Sequence, residues 1–154
     1  MAVLSNIQEY YEVERDGYLI STNPDKLDLK VVQHYLSEQS YWSAGIPLEK
    51  VRQAAKGSIC FGVYYGEQQI GYTRLITDAA TFGYLADVFI LDEYQGQGLG
   101  TWLVESILAH PACQGFRRWF LATQDAHGLY AKFGFEPLKS PEVYMEKVLF
   151  RKYS

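Results

Sequence analysis

The sequence predicts one α+β domain over residues 1–154, with a mixed central β-sheet flanked by about four helices. Three observations carry this. The apolar spacing is helical from about residue 28 to 57, strand-like from 58 to 91, and helical again after a glycine-rich turn. A length of 154 residues suits one domain, and no repeat or Gly/Ser/Pro-rich linker divides the chain. Hydrophobic residues at 48% and charged residues at 21% give ordinary globular composition, which excludes a disordered or fibrous chain.

Each element follows in order. Residues 10–20 have weak strand character around Asp16-Gly17, and Ser21-Thr22-Asn23-Pro24 breaks it. Asp28 is placed to cap a helix in which Leu29, Val32 and Leu36 repeat at helical spacing. Pro47 suits the first turn of a second helix, with Leu48, Val51, Ala54 and Ala55 on one side and Gly57 as its stop. Residues 58–65 (SICFGVYY) and 70–77 form a strand pair across a turn at 66–69. Residues 83–91 (GYLADVFIL) alternate little, as in a strand buried on both faces. A helix striped by Leu99, Leu103 and Ile107 stops by Pro111. A short strand at 117–122, a short helix at 126–133 closed by Gly134, and a last strand at 143–150 complete a β-α-α-β-β-β-α-β-α-β order.

Charge and composition narrow the function. Fourteen Lys+Arg against eighteen Asp+Glu leave a net charge of −4, so binding to nucleic acid by phosphate neutralisation is not expected. No apolar run reaches the roughly 18 residues of a membrane span. The stretch MAVLSNIQEYYEVERD has neither a basic start nor an apolar core, so no signal peptide is expected and a cytoplasmic location is. Cys60 and Cys113 stand alone, without metal-ligand spacing, and no metal is expected. Aromatics reach 16%, with thirteen tyrosines, which suits strands and a pocket with amphipathic walls.

The most informative segment is Gln95-Gly96-Gln97-Gly98-Leu99-Gly100, between a buried strand and a helix. Glycines there let backbone approach a ligand, and the free N–H groups of the helix start favour an anion such as a diphosphate. A P-loop would need a lysine after the glycines, and none follows. A dinucleotide-binding GxGxxG turn would need its last glycine one place later than Gly100. An unliganded strand-to-helix turn stays open on this motif alone.

Residues 94–100 also fit the Q/R-x-x-G-x-G/A pattern of the GNAT superfamily of acyl-CoA N-acyltransferases, and LYAKFGF at 129–135 resembles its second signature. The resemblance spans residues 27–138 and includes the two helices before the sheet. AHGLYAKFGF and SYWSAGIP resemble a group of small bacterial-type members. It implies a GNAT-like sheet and an acetyl-CoA cosubstrate. The diphosphate would rest on the backbone of Gln95, Gly96, Gln97, Gly98, Leu99, Gly100 and Thr101. The pantetheine arm would run along Val88, Phe89 and Ile90 where two parallel strands splay, with Asp125 beside it. Tyr130 falls on the tyrosine that commonly faces the thioester sulfur. Gln95 and Gln97 depart from the Arg and Lys frequent in the family, which leaves the diphosphate to backbone N–H groups and the helix dipole.

Acyl transfer to an amine needs a neutral amine, a polarised thioester carbonyl and a proton for the departing thiolate. Tyr130 is the candidate acid, against the reading of a core tyrosine under Phe133 and Phe135. Asp87, a carboxylate inside an apolar strand, would accept the amine proton, hold the substrate ammonium, or pair with Arg74. Tyr84 lies near a position where some superfamily members carry a glutamate base, which points to a water-relayed proton. His127, one turn before Tyr130, titrates in a useful range. Neither cysteine has a His/Asp arrangement, so a covalent acyl-enzyme is not expected. The acceptor pocket is assigned to the first two helices and their loop, through His34, Glu38, Tyr41 and Trp42, with Tyr35 nearby. The expected partner is a small-molecule amine. Dimers are common in the superfamily, and a homodimer stays open. The alternative to an N-acetyltransferase is a CoA-binding sensor or interaction module with the same fold and little turnover.

Overall fold

The computed structural model describes residues 9–153. A six-stranded sheet runs in chain order: β1 (Glu12–Arg15), β2 (Tyr18–Ser21), β3 (Ile59–Tyr65), β4 (Gln68–Thr77), β5 (Phe82–Ile90) and β6 (Arg118–Leu121). All neighbours are antiparallel except β5 and β6, which are parallel. Parallel strands need a crossover. Here it is α3 (Leu99–Leu108), while α1 (Leu29–Glu38) and α2 (Leu48–Lys56) precede the sheet's centre and α4 (His127–Ala131) follows β6. Among the described residues, the α+β mixed sheet with four α-helices agrees with the class expected from the sequence.

Local chemistry explains the helix ends. Asp28 caps α1, its carboxylate accepting from the Lys30 and Val31 amides. The start of α1 is tied to the sheet through a buried glutamine: Gln69 Oε1 accepts from the Asp28 amide at 2.7 Å. Pro47 sits at the α2 N-cap and Gly57 at its C-cap. Gly98, at φ 81°, caps α3 in a left-handed conformation that glycine adopts without penalty.

Two apolar clusters lie on opposite faces of the sheet. α3 buries Leu103, Val104 and Ile107 completely against Leu75, Leu85 and Ile90. On the other face, α1 and α2 set Val32, Leu36 and Val51 on Tyr72 and Phe89. Burying one such side chain stabilises the fold by about 1.5–3 kcal/mol.

Three elements differ from the sequence expectation. Asp16 (φ 53°) and Gly17 (φ 85°) form the tip of a β1–β2 hairpin, so the first strand is two. β5 is only half-buried at Phe82, Tyr84 and from Ala86 to Val88, so it is not covered on both faces along its whole length. Residues 143–150 form no strand: a 3-10 turn at Pro141–Val143 is followed by extended, exposed and unpaired chain. A strand needs a partner edge as well as a strand-forming composition, and among the described residues none pairs with these as a sheet neighbour.

His110 leaves α3 with both ring nitrogens committed or enclosed. Nδ1 accepts from the Ala112 amide at 3.0 Å, and Nε2 is buried without a partner. Burial holds its pKa below the usual value, so the neutral ring is favoured in the fold. Its contribution is present above the unfolded value near 6.5 and is lost as pH falls through the folded value. Melting curves between about pH 5 and about pH 7.5 should therefore show stability falling on the acid side. His110→Asn keeps a local acceptor without the titration and should flatten that slope; an equal slope in the variant would remove His110 as the cause.

Candidate active site

The site is built where β5 leaves its neighbours. Arg74 pairs with Ala86 and Tyr72 with Phe89, so Thr73 faces two residues, Asp87 and Val88, in a β-bulge. Asp87 takes φ 58°, a conformation that aspartate tolerates better than bulkier residues. Thr73 steadies the bulge, its hydroxyl donating to the Ala86 carbonyl at 3.0 Å. β6 pairs with β5 only from Phe82 to Leu85. Beyond the bulge, Val88, Phe89 and Ile90 run past the end of β6, and the two parallel strands part there.

At the end of this gap lies the glycine turn. Gly96 (φ 82°) and Gly98 (φ 81°) are both left-handed, and a Cβ built on either meets no protein atom within 4 Å. The open side therefore faces away from protein, with the first amides of α3, those of Leu99, Gly100 and Thr101, at its head. Both glutamines brace the turn. Gln95 Nε2 donates to the Ile90 carbonyl at 2.9 Å and to Asp92 Oδ1 at 3.2 Å. Gln97 Nε2 donates to the Tyr94 carbonyl at 3.4 Å, and its Oε1 accepts from the Tyr18 hydroxyl at 3.3 Å. Their side chains hold the loop's shape, and the groups this turn presents outward are backbone N–H groups at the positive end of the helix dipole.

The loop between α1 and α2 bridges the gap from above. Tyr41 accepts at its hydroxyl from the Gln124 amide at 2.8 Å, just beyond β6. Trp42 donates through Nε1 to Asp87 Oδ1 at 3.0 Å, and its ring meets Tyr41 edge-on at 5.0 Å. Tyr35 of α1 stacks on Phe89 at 4.1 Å between ring centres. Asp87 is also paired with Arg74, Nε donating to Oδ2 at 2.6 Å. Both carboxylate oxygens of Asp87 thus accept a strong donor, and the carboxylate is anchored by Arg74 as much as exposed to a ligand. Arg74 and Asp87 also line a pocket of about 190 Å³ with Ser43, Lys50, Tyr72 and Tyr153.

Tyr130, on α4, is 7% exposed and meets Phe135 edge-on at 5.9 Å. Burial pushes its pKa up to about 12, and the nearby Tyr41 and Asp125 add to the rise. The phenol therefore keeps its proton throughout the neutral range. Burial likewise pushes Cys60 and Cys113 up to about 11, so both thiols stay protonated and enclosed. That makes them poor nucleophiles.

The structure brings Tyr41, Asp125 and Tyr130 into one neighbourhood, and Trp42, Asp87 and Arg74 into an adjoining one. Tyr84 lies on the same sheet face as Ala86, between Ile76 and Phe120, away from the bulge. His34 and Glu38 are exposed on the side of α1 opposite Val32 and Leu36, and do not converge on the gap. His127 is exposed at the start of α4. Tyr153, Ser43 and Lys50 carry no signal in the sequence, since tail, loop and helix α2 meet at this pocket only by tertiary packing. Trp42→Phe removes one N–H and keeps an aromatic ring. It should cost about 1 kcal/mol, a fall in Tm of about 2–4 °C for a chain of this size; an unchanged melt would mean that the indole N–H adds nothing to the fold.

Comparison with known proteins agrees with this geometry. The family model of the acetyltransferase (GNAT) domain matches residues 56–137. A Gibberella zeae protein, whose name gives acetyltransferase as an inferred activity, is 36% identical over 149 residues, covering 82% of this chain and 83% of its own. A crystal structure of an inferred GNAT-family acetyltransferase from Xanthomonas campestris pv. campestris superposes with a TM-score of 0.85 at 41% identity, over 88% of this chain and 96% of that one. The fold is shared with a GNAT family acetyltransferase from Elizabethkingia anophelis, solved with acetyl-CoA bound, at a TM-score of 0.61 and 16% identity over 88% and 90% of the two chains. With a family model over more than half its length and a relative above a third identical, this chain belongs to the GNAT acetyltransferase family.

Proposed function

We propose that this chain transfers an acetyl group from acetyl-CoA to a primary amine by direct attack in a ternary complex. The observation that carries the reading is the continuous gap from the Asp87 bulge to the Gly98 turn. It offers unpaired backbone on β5 and free amides at the start of α3, with a buried, protonated phenol alongside. Acetyl-CoA supplies an activated thioester carbonyl. Backbone amides from Gln95 to Thr101 would hold its diphosphate, and Val88, Phe89 and Ile90 would align its arm as an added strand does. Asp125, exposed beside Tyr130, would meet the same arm.

Tyr130 is the acid in this reading, donating its phenolic proton to the sulfur as the thiolate leaves. Asp87, fixed by Arg74 and Trp42, orients the amine or relays its proton, and Tyr84 would do so only through water. Tyr41 and Trp42 give aromatic surface at the acceptor side, while His34 and Glu38 would act only on a large acceptor reaching the outer face of α1. The acceptor is proposed to be a small amine, with neither nucleic acid nor membrane as partner and with the cytoplasm as the compartment.

A second reading, a CoA-binding module with little turnover, draws on the double engagement of Asp87, both of whose carboxylate oxygens already accept a donor. Thermal melts with cofactors test the ligand in both readings. Acetyl-CoA at 100 times its Kd should stabilise the fold by about 2.7 kcal/mol. A shift with NAD or ATP but none with acetyl-CoA would overturn both.

A further inference from the structure

The pocket beside the Asp87 bulge carries an imbalance of charge. Its volume is about 190 Å³, below the roughly 300–1,000 Å³ of a site for a drug-sized ligand. It therefore suits one small molecule. Leu36, Ile46, Val51 and Ala54 supply apolar wall, while Lys50, Arg74 and Asp87 supply the charges. Two cations against one carboxylate leave an excess of positive charge. An amine without an acid group brings a further positive charge, or none, and leaves that excess unanswered where screening is weaker than in bulk water.

The donors for an acid group are also present. Arg74 commits Nε to Asp87 at 2.6 Å and Nη1 to the Ser58 hydroxyl at 3.4 Å. Among the described residues, Nη2 of Arg74 and Nζ of Lys50 have no hydrogen-bond or ion-pair partner. A guanidinium edge and an ammonium on one cavity suit a carboxylate. The Tyr72 hydroxyl on the same wall is already engaged with Cys60 Sγ at 3.3 Å. Asp87 accepts one donor at each oxygen, and each oxygen keeps a second lone pair that an amine N–H can use. Arg74 and Asp87 touch. A carboxylate received by one and an amine received by the other must therefore lie close together in the ligand, as they do on a single α-carbon.

We propose that the acceptor is a free α-amino acid, with its carboxylate held by Arg74 and Lys50 and its amine by Asp87 at the bulge. Its side chain rests on the wall of Leu36 and Val51. This rests on the acetyl-transfer reading above and names the substrate class for it. The neutral amine nitrogen bonds to the acetyl carbon as the C–S bond breaks. Nitrogen loses one proton and sulfur gains one, so the products are an N-acetyl amino acid and CoA. Lys50 is a specificity residue in this account: it takes no part in the chemistry and selects which amines are held at the bulge.

The test compares leucine, leucinamide and isoamylamine, which share a side chain and differ in the carboxylate, in the whole protein and in Lys50→Gln and Lys50→Glu. Lys50 is exposed on α2, so both variants should melt as the parent does. The parent should favour leucine over leucinamide in kcat/KM by at least tenfold, about 1.4 kcal/mol. Lys50→Gln should shrink that ratio through KM, and Lys50→Glu should reverse it. Equal use of leucine and leucinamide overturns the proposal and leaves acetyl transfer intact, as does a ratio unchanged in Lys50→Glu. If no amine at all is acetylated, the acetyl-transfer reading fails instead, and calorimetric titration of leucine into the CoA-loaded protein decides the pocket. Binding that is lost in Lys50→Glu upholds the amino-acid site; no binding, or equal binding in the variant, overturns it.

Discussion

Tyr130→Phe is expected to slow acetyl transfer roughly ten- to a hundredfold, a barrier increase of about 1.4–2.7 kcal/mol, with the affinity for acetyl-CoA nearly unchanged. The substitution keeps the ring that meets Phe135 and removes only the hydroxyl. A thiolate leaves with modest help, so the effect belongs at the low end of general acid catalysis. Because burial holds the phenol near 12, its ionisation should not shape the rate profile around pH 10, where an unperturbed tyrosine would titrate. The same shift is a stability statement. The neutral buried phenol contributes fully below the unfolded value of about 10, and that contribution is lost as pH rises toward about 12. The variant should lack this alkaline loss. Steady-state kinetics with thermal melts of both proteins decide the matter: an unchanged kcat at matched stability makes Tyr130 a packing residue.

Gly98→Val should weaken acetyl-CoA binding at least tenfold, about 1.4 kcal/mol. Valine at φ 81° is strained wherever space is available, and here the space is on the open side of the turn. Its side chain would stand where the diphosphate must approach the amides of α3. Strain alone also lowers stability, so a control is needed. Gly115 has φ 89° and equally open surroundings, but lies before β6, away from the turn. Gly115→Val should lose similar stability and keep cofactor affinity. Calorimetric titration of both variants separates strain from binding, and equal affinities would make the Gly98 turn structural.

Much of the fold was legible because the signals are local. The Asp28 cap, the Leu29/Val32/Leu36 stripe, Pro47 and Gly57 each act within one helix, and α1 and α2 lie where they predict. The strands β3 to β5 were readable from composition and turns. Asp16-Gly17 is itself a hairpin signal that splits the first strand, although the residues around it have only weak strand character. Residues 143–150 fail for a different reason: strand composition is local, but a partner edge is not.

The site was partly legible for the same reason. Asp87 stood out as a carboxylate in an apolar strand, and Arg74 is the partner that its cost demanded. That Trp42 takes its other oxygen depends on a loop folding over the sheet from 45 residues away. His34 and Glu38 are near Tyr41 and Trp42 in sequence, yet helical rotation turns them outward. Gln95 and Gln97 read as absent positive charge, whereas the structure gives them hydrogen bonds that shape the turn.

Thiol release from acetyl-CoA across a panel of primary amines, with the product identified by mass, tests the central claim most directly. The account predicts free CoA in step with an acetylated amine, release that depends on the amine, and release slowed in Tyr130→Phe. Acetyl-CoA bound at the Gly98 turn with no acetylated product from any amine, small molecule or peptide, would contradict it and leave a CoA-binding module in its place.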